Sequence, residues 1–219
     1  MRRIAVLTSS TGTGSNLQAL IDAQTDGFNG QIVCVFSAKP KVYGLVRAHE
    51  ADIPTEVVDF DEYRQAGRPQ SWYEEDLARK LQKYSPDLIV LAGWTMQLSK
   101  EFLRYFPWRV LNIHPGIMPE EPGRPYRLPD GSFADDCAGL SGENAVKAML
   151  ASGKKYAGST VHVVTDRDDW GPVVNRGIVE IKEADTVATL YDRIKAKEHR
   201  IIVESLRELC AEPARVKKD

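Results

Sequence analysis

The sequence has few cysteines and no long apolar run. Its 219 residues include three cysteines, Cys34, Cys137 and Cys210, which form no CxxC pair and no other spacing typical of a metal site. An odd number of widely separated cysteines is typical of free thiols in a reducing compartment. No stretch of about 18 apolar residues occurs, and the first apolar run is too short for the core of a signal peptide. We therefore expect a cytoplasmic protein without a membrane segment, with Cys34 filling the core.

The chain also lacks an excess of charge of either sign. It holds 29 Lys and Arg residues against 31 Asp and Glu residues, which gives a formal net charge of -2. This balance argues against a general nucleic-acid binder, because such proteins carry a basic patch or stripe. A small anionic substrate stays open, since it needs only a local site.

Several common catalytic motifs are missing as well. The sequence contains no GxSxG elbow, no HExxH motif and no GK[ST] phosphate loop, and its four histidines show no ligand spacing. A serine nucleophile and a catalytic zinc therefore find no support. A pair formed by Cys137 and His114 is conceivable, but nothing in the pattern places Cys137 near the strand ends.

Short apolar runs alternate with amphipathic segments, and this alternation predicts an α/β fold. Predicted strands cover residues 3–8, 31–37, 55–60, 87–93 and 109–113, and predicted helices cover residues 15–24, 43–52, 73–84 and 99–105. Such βαβ units build a Rossmann-like, mostly parallel twisted sheet with helices on both faces. A helix at 142–153, two strands at 157–165 and 172–181 joined by a short turn, and a long helix at 186–210 follow. We expect antiparallel strands in this C-terminal part.

We predict a single domain over residues 1–211, followed by a flexible basic tail at 212–219. Inside it, residues 120–141 are rich in proline and glycine and show no period. A loop of this length in a compact domain is usually functional or mobile. We refer to residues 120–141 as the insert.

Ligands of parallel sheets collect beyond the carboxyl ends of the strands, and a glycine-containing loop follows the first strand. It reads TSSTGTGSN, residues 8–16, with Ser15 as the predicted N-cap of the next helix. Backbone amides at a helix N-terminus favour a phosphate or carboxylate. A flexible strand-to-helix turn explains the same composition, so both interpretations stand at this point.

Polar residues also end a later strand, in the stretch RVLNIHPGIMP. Asn112 and His114 lie two apart and therefore share one face of an extended strand. An Asn amide can stabilise a developing oxyanion, and a His can transfer a proton near neutral pH. The alternative is that both side chains only cap the strand end.

Three further groups of acidic or histidine residues lie in the C-terminal part of the chain. Asp166, Asp168 and Asp169 crowd the turn after the strand of His162, and one of them either orients His114 or belongs to a solvated loop. His162 itself has apolar neighbours and is expected to support the core or another residue. Glu198 and His199 lie in an amphipathic helix and are expected to face solvent mostly.

Taken in this order, the motifs resemble the glycinamide ribonucleotide formyltransferase family, the folate-dependent enzymes of purine synthesis. The matching stretches are GSNLQALIDA (14–23), SPDLIVLAGW (85–94), LNIHPGIMP (111–119), GSTVHVVTDRDDWGPVV (158–174) and KEHRIIVESL (197–206). They cover most of the chain outside the insert and the tail. The family's fold is the Rossmann-like formyltransferase fold expected above.

The resemblance implies a role for each matching residue. It assigns catalysis to Asn112, His114 and Asp169, and substrate binding to Gly14, Ser15, Asn16, Pro115 and Glu198. The pterin of 10-formyltetrahydrofolate is expected at Thr95, Met96, Gln97, Leu98, Val164, Thr165 and Asp166. Small molecules are thus the expected partners, with no metal, no nucleic acid and no membrane, in a monomer or homodimer.

Some positions depart from the family pattern. The family commonly has Phe-Met-Arg-Ile-Leu where this chain has residues 94–98, WTMQL, and Gly-Gly where it has Trp170 and Gly171. The glycine loop looks longer than usual, and the insert follows the catalytic strand directly. These departures keep two alternatives open: another amine acceptor such as an amino-sugar nucleotide, or a folate-binding relative without catalysis.

Overall fold

The computed structural model describes residues 1–9, 12–119, 123–134, 139–167 and 171–211. Its strands are β1 Arg2–Thr8, β2 Gly30–Ser37, β3 Thr55–Val57, β4 Leu88–Leu91, β5 Val110–His114, β6 Tyr156–Val163 and β7 Val173–Glu180. Its helices are α1 Ser15–Thr25, α2 Tyr43–Glu50, α3 Phe60–Gln65, α4 Gln70–Gln82, α5 Lys100–Leu103, α6 Gly142–Ala151 and α7 Val187–Ala211. Predictions for Cys137, Asp168, Asp169, Trp170 and the tail at 212–219 lie outside the described residues.

The strands form one mixed sheet in the order β3-β2-β1-β4-β5-β6-β7. Strand β1 pairs in parallel with β2 and β4, and β2 pairs in parallel with β3. Strand β7 runs antiparallel to β6. The predicted class, a mostly parallel sheet with antiparallel strands near the C-terminus and a long last helix, is confirmed.

The chain divides into two compact units. The first comprises residues 1–111 and 206–219. Its core is the pair β1 and β2, in which every residue from Ile4 to Leu7 and from Ile32 to Phe36 is buried. Such continuous apolar runs suit parallel strands that are covered on both faces. The last turn of α7 is held to this unit, because the Asn29 amide donates to the Cys210 carbonyl at 3.1 Å.

The second unit comprises residues 112–205. One face of α6 packs with Ala157 of β6 and with Leu190 and Ile194 of α7. The four-residue spacing on α7 places both apolar side chains on the same face, which is the pattern that predicts the helix. This cluster anchors β6, the strand that carries His162.

Two local predictions are wrong. The N-cap of α1 is Gly14 rather than Ser15, because Gly14 takes the left-handed conformation and no side chain caps the helix. The predicted strand at 55–60 ends at Val57, and Phe60 begins helix α3, which the sequence pattern does not reveal. Asp59 causes this change, since its side chain accepts a hydrogen bond from the Asp61 amide and caps the helix.

Two other expectations concern apolar segments and the insert. In the described ranges, no helix is both long and apolar enough to cross a membrane. The described part of the insert is not wholly irregular, because Arg127 and Phe133 form an antiparallel bridge.

Candidate active site

The loop after β1 is shaped by a glycine that no other residue can replace without strain. Gly14 has φ of +66°, and a Cβ atom there would lie 3.1 Å from Cα of Gly44. The left-handed conformation and the close approach of α2 both require glycine. Gly12 and Thr13 are exposed, Ser15 is half-buried, and Asn16 is buried. The loop therefore presents backbone to solvent immediately before a helix N-terminus.

Arg47 of α2 braces this loop, and the sequence analysis misses it. Its Nε donates to the Thr13 carbonyl at 2.7 Å, and its Nη1 donates to Oε1 of Gln18 at 2.6 Å. The guanidinium also lies 4.9 Å from the centre of the Tyr43 ring. The loop thus carries a fixed positive charge in addition to its backbone amides.

The segment after β4 holds the residues predicted to clasp a pterin. The Thr95 amide donates to Oγ of Ser9 at 2.8 Å, and the two hydroxyl oxygens are 3.1 Å apart. Thr95 and Gln97 are exposed, Met96 is half-buried, and Leu98 is buried. The backbone is therefore tied to the end of β1, while alternate side chains remain available to a ligand.

A buried carboxylate fixes the far end of the same segment. Glu74 of α4 is 2% exposed, and its Oε1 accepts from the Ser99 amide at 3.1 Å and from the Gln70 side chain at 2.8 Å. The Ser99 hydroxyl donates to the other oxygen of Glu74. The side-chain amide of Gln70 also donates to the Gln97 carbonyl at 2.9 Å. Glu74 therefore defines the shape of residues 97–99, and sequence reasoning did not identify it.

Strand β5 ends with the two polar side chains that the sequence singles out. Nδ2 of Asn112 lies 3.3 Å from Nε2 of His162, and Nδ1 of His162 lies 3.2 Å from the Val163 carbonyl. Both contacts are satisfied when His162 is neutral with its proton on Nδ1, because Nε2 then accepts from Asn112. His162 and His114 are both buried. The supporting role expected for His162 agrees with this contact, which orients the Asn112 amide.

The turn after His114 is held by side chains of β6. The Thr160 hydroxyl donates to the Gly116 carbonyl at 2.7 Å and accepts from the Met118 amide at 2.9 Å. The Gly116 amide donates to the His114 carbonyl at 3.0 Å. Pro115 is half-buried, and Gly116 and Met118 are buried. This turn is therefore a packed structure rather than a loose end of the strand.

Glu198 does not face solvent, so that expectation is wrong. It is 2% exposed, with Oε1 accepting from the Ser159 hydroxyl at 2.8 Å and Oε2 paired with Nζ of Lys195 at 2.5 Å. His199 is half-buried. The amphipathic pattern misleads here because a buried carboxylate with partners replaces an apolar residue on the inner face of α7.

The segment after β6 continues the set of predicted folate contacts. Val164 and Thr165 are half-buried and Asp166 is exposed, whereas Asp169 lies outside the described residues. Gly171 closes the segment against β6, since a Cβ atom there would lie 1.8 Å from the Val163 carbonyl oxygen. Only glycine fits at that point.

Comparison with known proteins identifies the family. A family model described as "Formyl transferase" matches residues 2–206. Phosphoribosylglycinamide formyltransferase of Escherichia coli is 34% identical over 199 residues, which is 90% of this chain and 82% of that protein. A crystal structure of glycinamide ribonucleotide transformylase 1 from Symbiobacterium toebii matches 96% of this chain and 88% of that one, at 36% identity and a TM-score of 0.82.

A trifunctional purine biosynthetic protein of Bos taurus is 35% identical over 205 residues, which is 93% of this chain. The chain spans only 18% of the length of that relative. Because the family model matches far more than half of the chain, the protein belongs to the formyl transferase family, as its motifs predict.

Proposed function

We propose that this protein transfers a formyl group from 10-formyltetrahydrofolate to the amine of 5'-phosphoribosylglycinamide, in purine synthesis. The observation that carries the proposal is the Asn112 amide, which the buried His162 orients on the strand of His114. Membership of the formyl transferase family supports the reaction, and relatives named phosphoribosylglycinamide formyltransferase support the acceptor.

Asn112 and His114 act on the charge that develops during the transfer. As the amine nitrogen attacks the formyl carbon, the formyl oxygen becomes negative. One N–H of the Asn112 amide is directed to His162, which leaves its second N–H to donate to this oxygen. A protonated His114 supplies a second donor and a compensating charge. Preorganised donors of this kind contribute about 10²–10³ in rate each.

His114 also handles the protons of the reaction. The attacking amine loses a proton and the folate nitrogen gains one as the bond between that nitrogen and the formyl carbon breaks. The protonated His114 can give its proton to the folate nitrogen as that bond breaks, and the resulting neutral imidazole can take the proton that the amine loses, directly or through water. We assign Asp169 to keep His114 oriented and cationic, on the resemblance alone, since Asp169 lies outside the described residues.

The substrate phosphate is proposed to bind at Gly14, Ser15 and Asn16. The exposed backbone before α1, the positive end of the helix and the guanidinium of Arg47 all favour an anion there. Pro115 is proposed to contact the substrate beside His114.

Glu198 is proposed to hold the ribonucleotide through a hydroxyl group. Each of its oxygens already accepts one hydrogen bond, from Ser159 or from Lys195. These two bonds hold the carboxylate in a fixed orientation, in which it is proposed to accept from a substrate hydroxyl.

The folate is proposed to contact the two segments that follow β4 and β6. The fixed backbone of residues 95–98 suits a flat, hydrogen-bonding ring, because Ser9 and Glu74 hold the two ends of that segment. Val164, Thr165 and Asp166 are proposed to form the other contact. The chemistry of these residues fits a pterin, which needs polar backbone groups and apolar cover.

The alternatives receive less support. The names of the relatives favour the glycinamide acceptor over an amino-sugar nucleotide. A folate binder without catalysis has no need for an Asn112 amide that a buried histidine orients. A cytoplasmic location, a monomer or homodimer, and the absence of nucleic-acid and metal partners stay predictions.

The test is a formyl-transfer assay with 10-formyltetrahydrofolate. Purified protein is mixed with glycinamide ribonucleotide or with an amino-sugar nucleotide, and the formylated product is identified by mass spectrometry. We expect turnover only with the ribonucleotide, and a rate lower by about 10³-fold or more with the His114→Ala variant. Turnover with the sugar nucleotide alone would show that the acceptor is not the ribonucleotide. Equal rates for the wild type and the variant would show that His114 does not take part in the reaction.

A further inference from the structure

The described part of the insert is a small hairpin. The Leu128 amide donates to the Ser132 carbonyl at 2.8 Å, and the Ala134 amide donates to the Tyr126 carbonyl at 2.9 Å. Asp130 tightens the tip by accepting from the amide and the hydroxyl of Ser132, at 3.0 and 2.7 Å. Leu128 is buried, whereas the neighbouring hairpin residues are mostly exposed. The hairpin is thus held by its own backbone and by one apolar anchor.

One ring of this hairpin lies against an arginine of β7. The guanidinium carbon of Arg176 is 4.4 Å from the centre of the Tyr126 ring, which is a favourable cation–π distance. Nε of the same Arg176 donates to the Met118 carbonyl at 2.8 Å. Arg176 therefore contacts the insert with its planar face and the turn after His114 with its Nε–H.

Met118 belongs to the packed turn already described. Its amide donates to Thr160, whose hydroxyl donates to Gly116, and the Gly116 amide donates to the His114 carbonyl. A continuous series of contacts thus leads from Tyr126 through Arg176 to the backbone of His114. Every residue in this series lies in the second compact unit.

We propose that Arg176 is a positioning residue, through which the insert fixes the turn that carries His114. The expected effect on the reaction rate rests on the proposed function, whereas the expected effect on the order of the turn does not. The Tyr126 ring restricts the guanidinium, and the restricted guanidinium holds the Met118 carbonyl. Loosening either contact widens the range of His114 positions, which lowers the rate of the chemical step more than substrate binding.

The first experiment needs no substrate. Hydrogen–deuterium exchange is measured for a peptide covering residues 114–118 in the wild type and in Tyr126→Ala, Tyr126→Phe and Arg176→Ala variants. We expect exchange at the Gly116 and Met118 amides to rise about tenfold in both alanine variants, because the turn opens more often. Tyr126→Phe is the matched control, since it keeps the ring and is expected to exchange like wild type. A peptide from α1 serves as the remote control and should not change.

The second experiment is a double-mutant cycle in the formyl-transfer assay. Arg176→Ala is expected to lower kcat about tenfold and Tyr126→Ala about threefold, with KM values for both substrates nearly unchanged. The double variant should match Arg176→Ala, because the insert acts through that side chain. If the arginine variant fails to fold, Arg176→Lys replaces it and is expected to lose about threefold in kcat.

Two results would overturn the proposal. One is unchanged exchange at residues 114–118 in both alanine variants, and the other is a double variant whose losses multiply. A wild-type protein without turnover would tell against the proposed function alone, because the exchange experiment still reports whether Arg176 holds the turn.

Discussion

Two loops of this protein follow parallel strands but are built in opposite ways. The loop after β1 is exposed at Gly12 and Thr13 and takes its shape from Gly14 and from Arg47 of α2. The turn after β5, residues 115–118, is mostly buried, and the hydroxyl of Thr160 holds it on both sides. One loop offers backbone to a ligand, whereas the other restricts a side chain.

The difference agrees with the roles proposed for the two loops, anion binding for the first and catalysis for the second. An anion is bound by several backbone amides and a positive charge, none of which needs to move a proton, so an open loop with a glycine is sufficient. A catalytic histidine has to keep its donor atom within a few tenths of an ångström of a productive position. Burial and bonds from side chains on a neighbouring strand provide that restriction.

The largest effect is expected at the buried turn. His114→Ala should lower kcat by about 10³ or more, because it removes both an oxyanion donor and the proton-transfer group. Asp169→Asn should cause a loss of several orders of magnitude as well, because the resemblance assigns Asp169 to orient His114. Single-turnover rates measure the effect, and circular dichroism is expected to show an unchanged fold. Near-normal rates in either variant would contradict the mechanism.

A smaller and different effect is expected at the open loop. Arg47→Ala should raise KM for the phosphorylated substrate about tenfold with little change in kcat, since it removes a charge and two braces of the loop. Arg47→Lys is the matched variant, because it keeps the charge and loses the bidentate geometry. If Arg47→Lys restores the KM of the wild type, the positive charge of Arg47 accounts for most of its effect on binding. If it does not, the hydrogen bonds that brace the loop account for most of it. If Arg47→Ala lowered kcat as much as His114→Ala does, the proposed difference in role between the two loops would be wrong.

For the segment after β4, we expect the main effect of a substitution on the stability of the fold. Glu74→Ala should lower the free energy of unfolding by about 2–3 kcal/mol, because the Ser99 amide and the Gln70 side chain lose the buried carboxylate that accepts from both. The neighbouring Glu75 is exposed, so Glu75→Ala should change stability by less than about 0.5 kcal/mol. Urea unfolding measures both. Equal effects at the two positions would show that the carboxylate network is not what holds this segment.

The smallest effect is expected for the reactivity of a thiol in the core formed by β1 and β2. Burial, with a smaller contribution from the nearby Glu56 carboxylate, raises the pKa of the Cys34 thiol on β2 to about 12. The thiol is therefore protonated at pH 8, and we expect Cys34 to react with iodoacetamide far more slowly in the folded protein than after unfolding. Peptide mass spectrometry identifies the labelled site. Rapid labelling of Cys34 in the native state would show that this core opens readily.

The same pKa gives a pH dependence of known sign. Because the folded pKa of Cys34 lies above that of the unfolded chain, its contribution to stability is present at neutral pH. That contribution is lost as the pH rises towards 12. Thermal unfolding of Cys34→Ala should therefore depend less on pH above about 9 than that of the wild type.

Much of the architecture was determined by the sequence alone. The apolar runs at β1, β2 and β4 mark buried parallel strands, and the four-residue spacing of Leu190 and Ile194 marks the inner face of α7. These features depend on local periodicity, which a single sequence displays directly. The motif around Asn112 and His114 likewise points to the family that the comparisons show.

Only the tertiary structure decided which partners the polar side chains have. The bonds from Asn112 to His162, from Arg47 to Thr13 and from Arg176 to Met118 join residues that are 50, 34 and 58 positions apart. Periodicity shows which face of an element is apolar, but it does not show which distant atom will satisfy a buried donor or acceptor. For this reason Glu198 looks solvent-facing in the sequence and is buried between Ser159 and Lys195 in the fold.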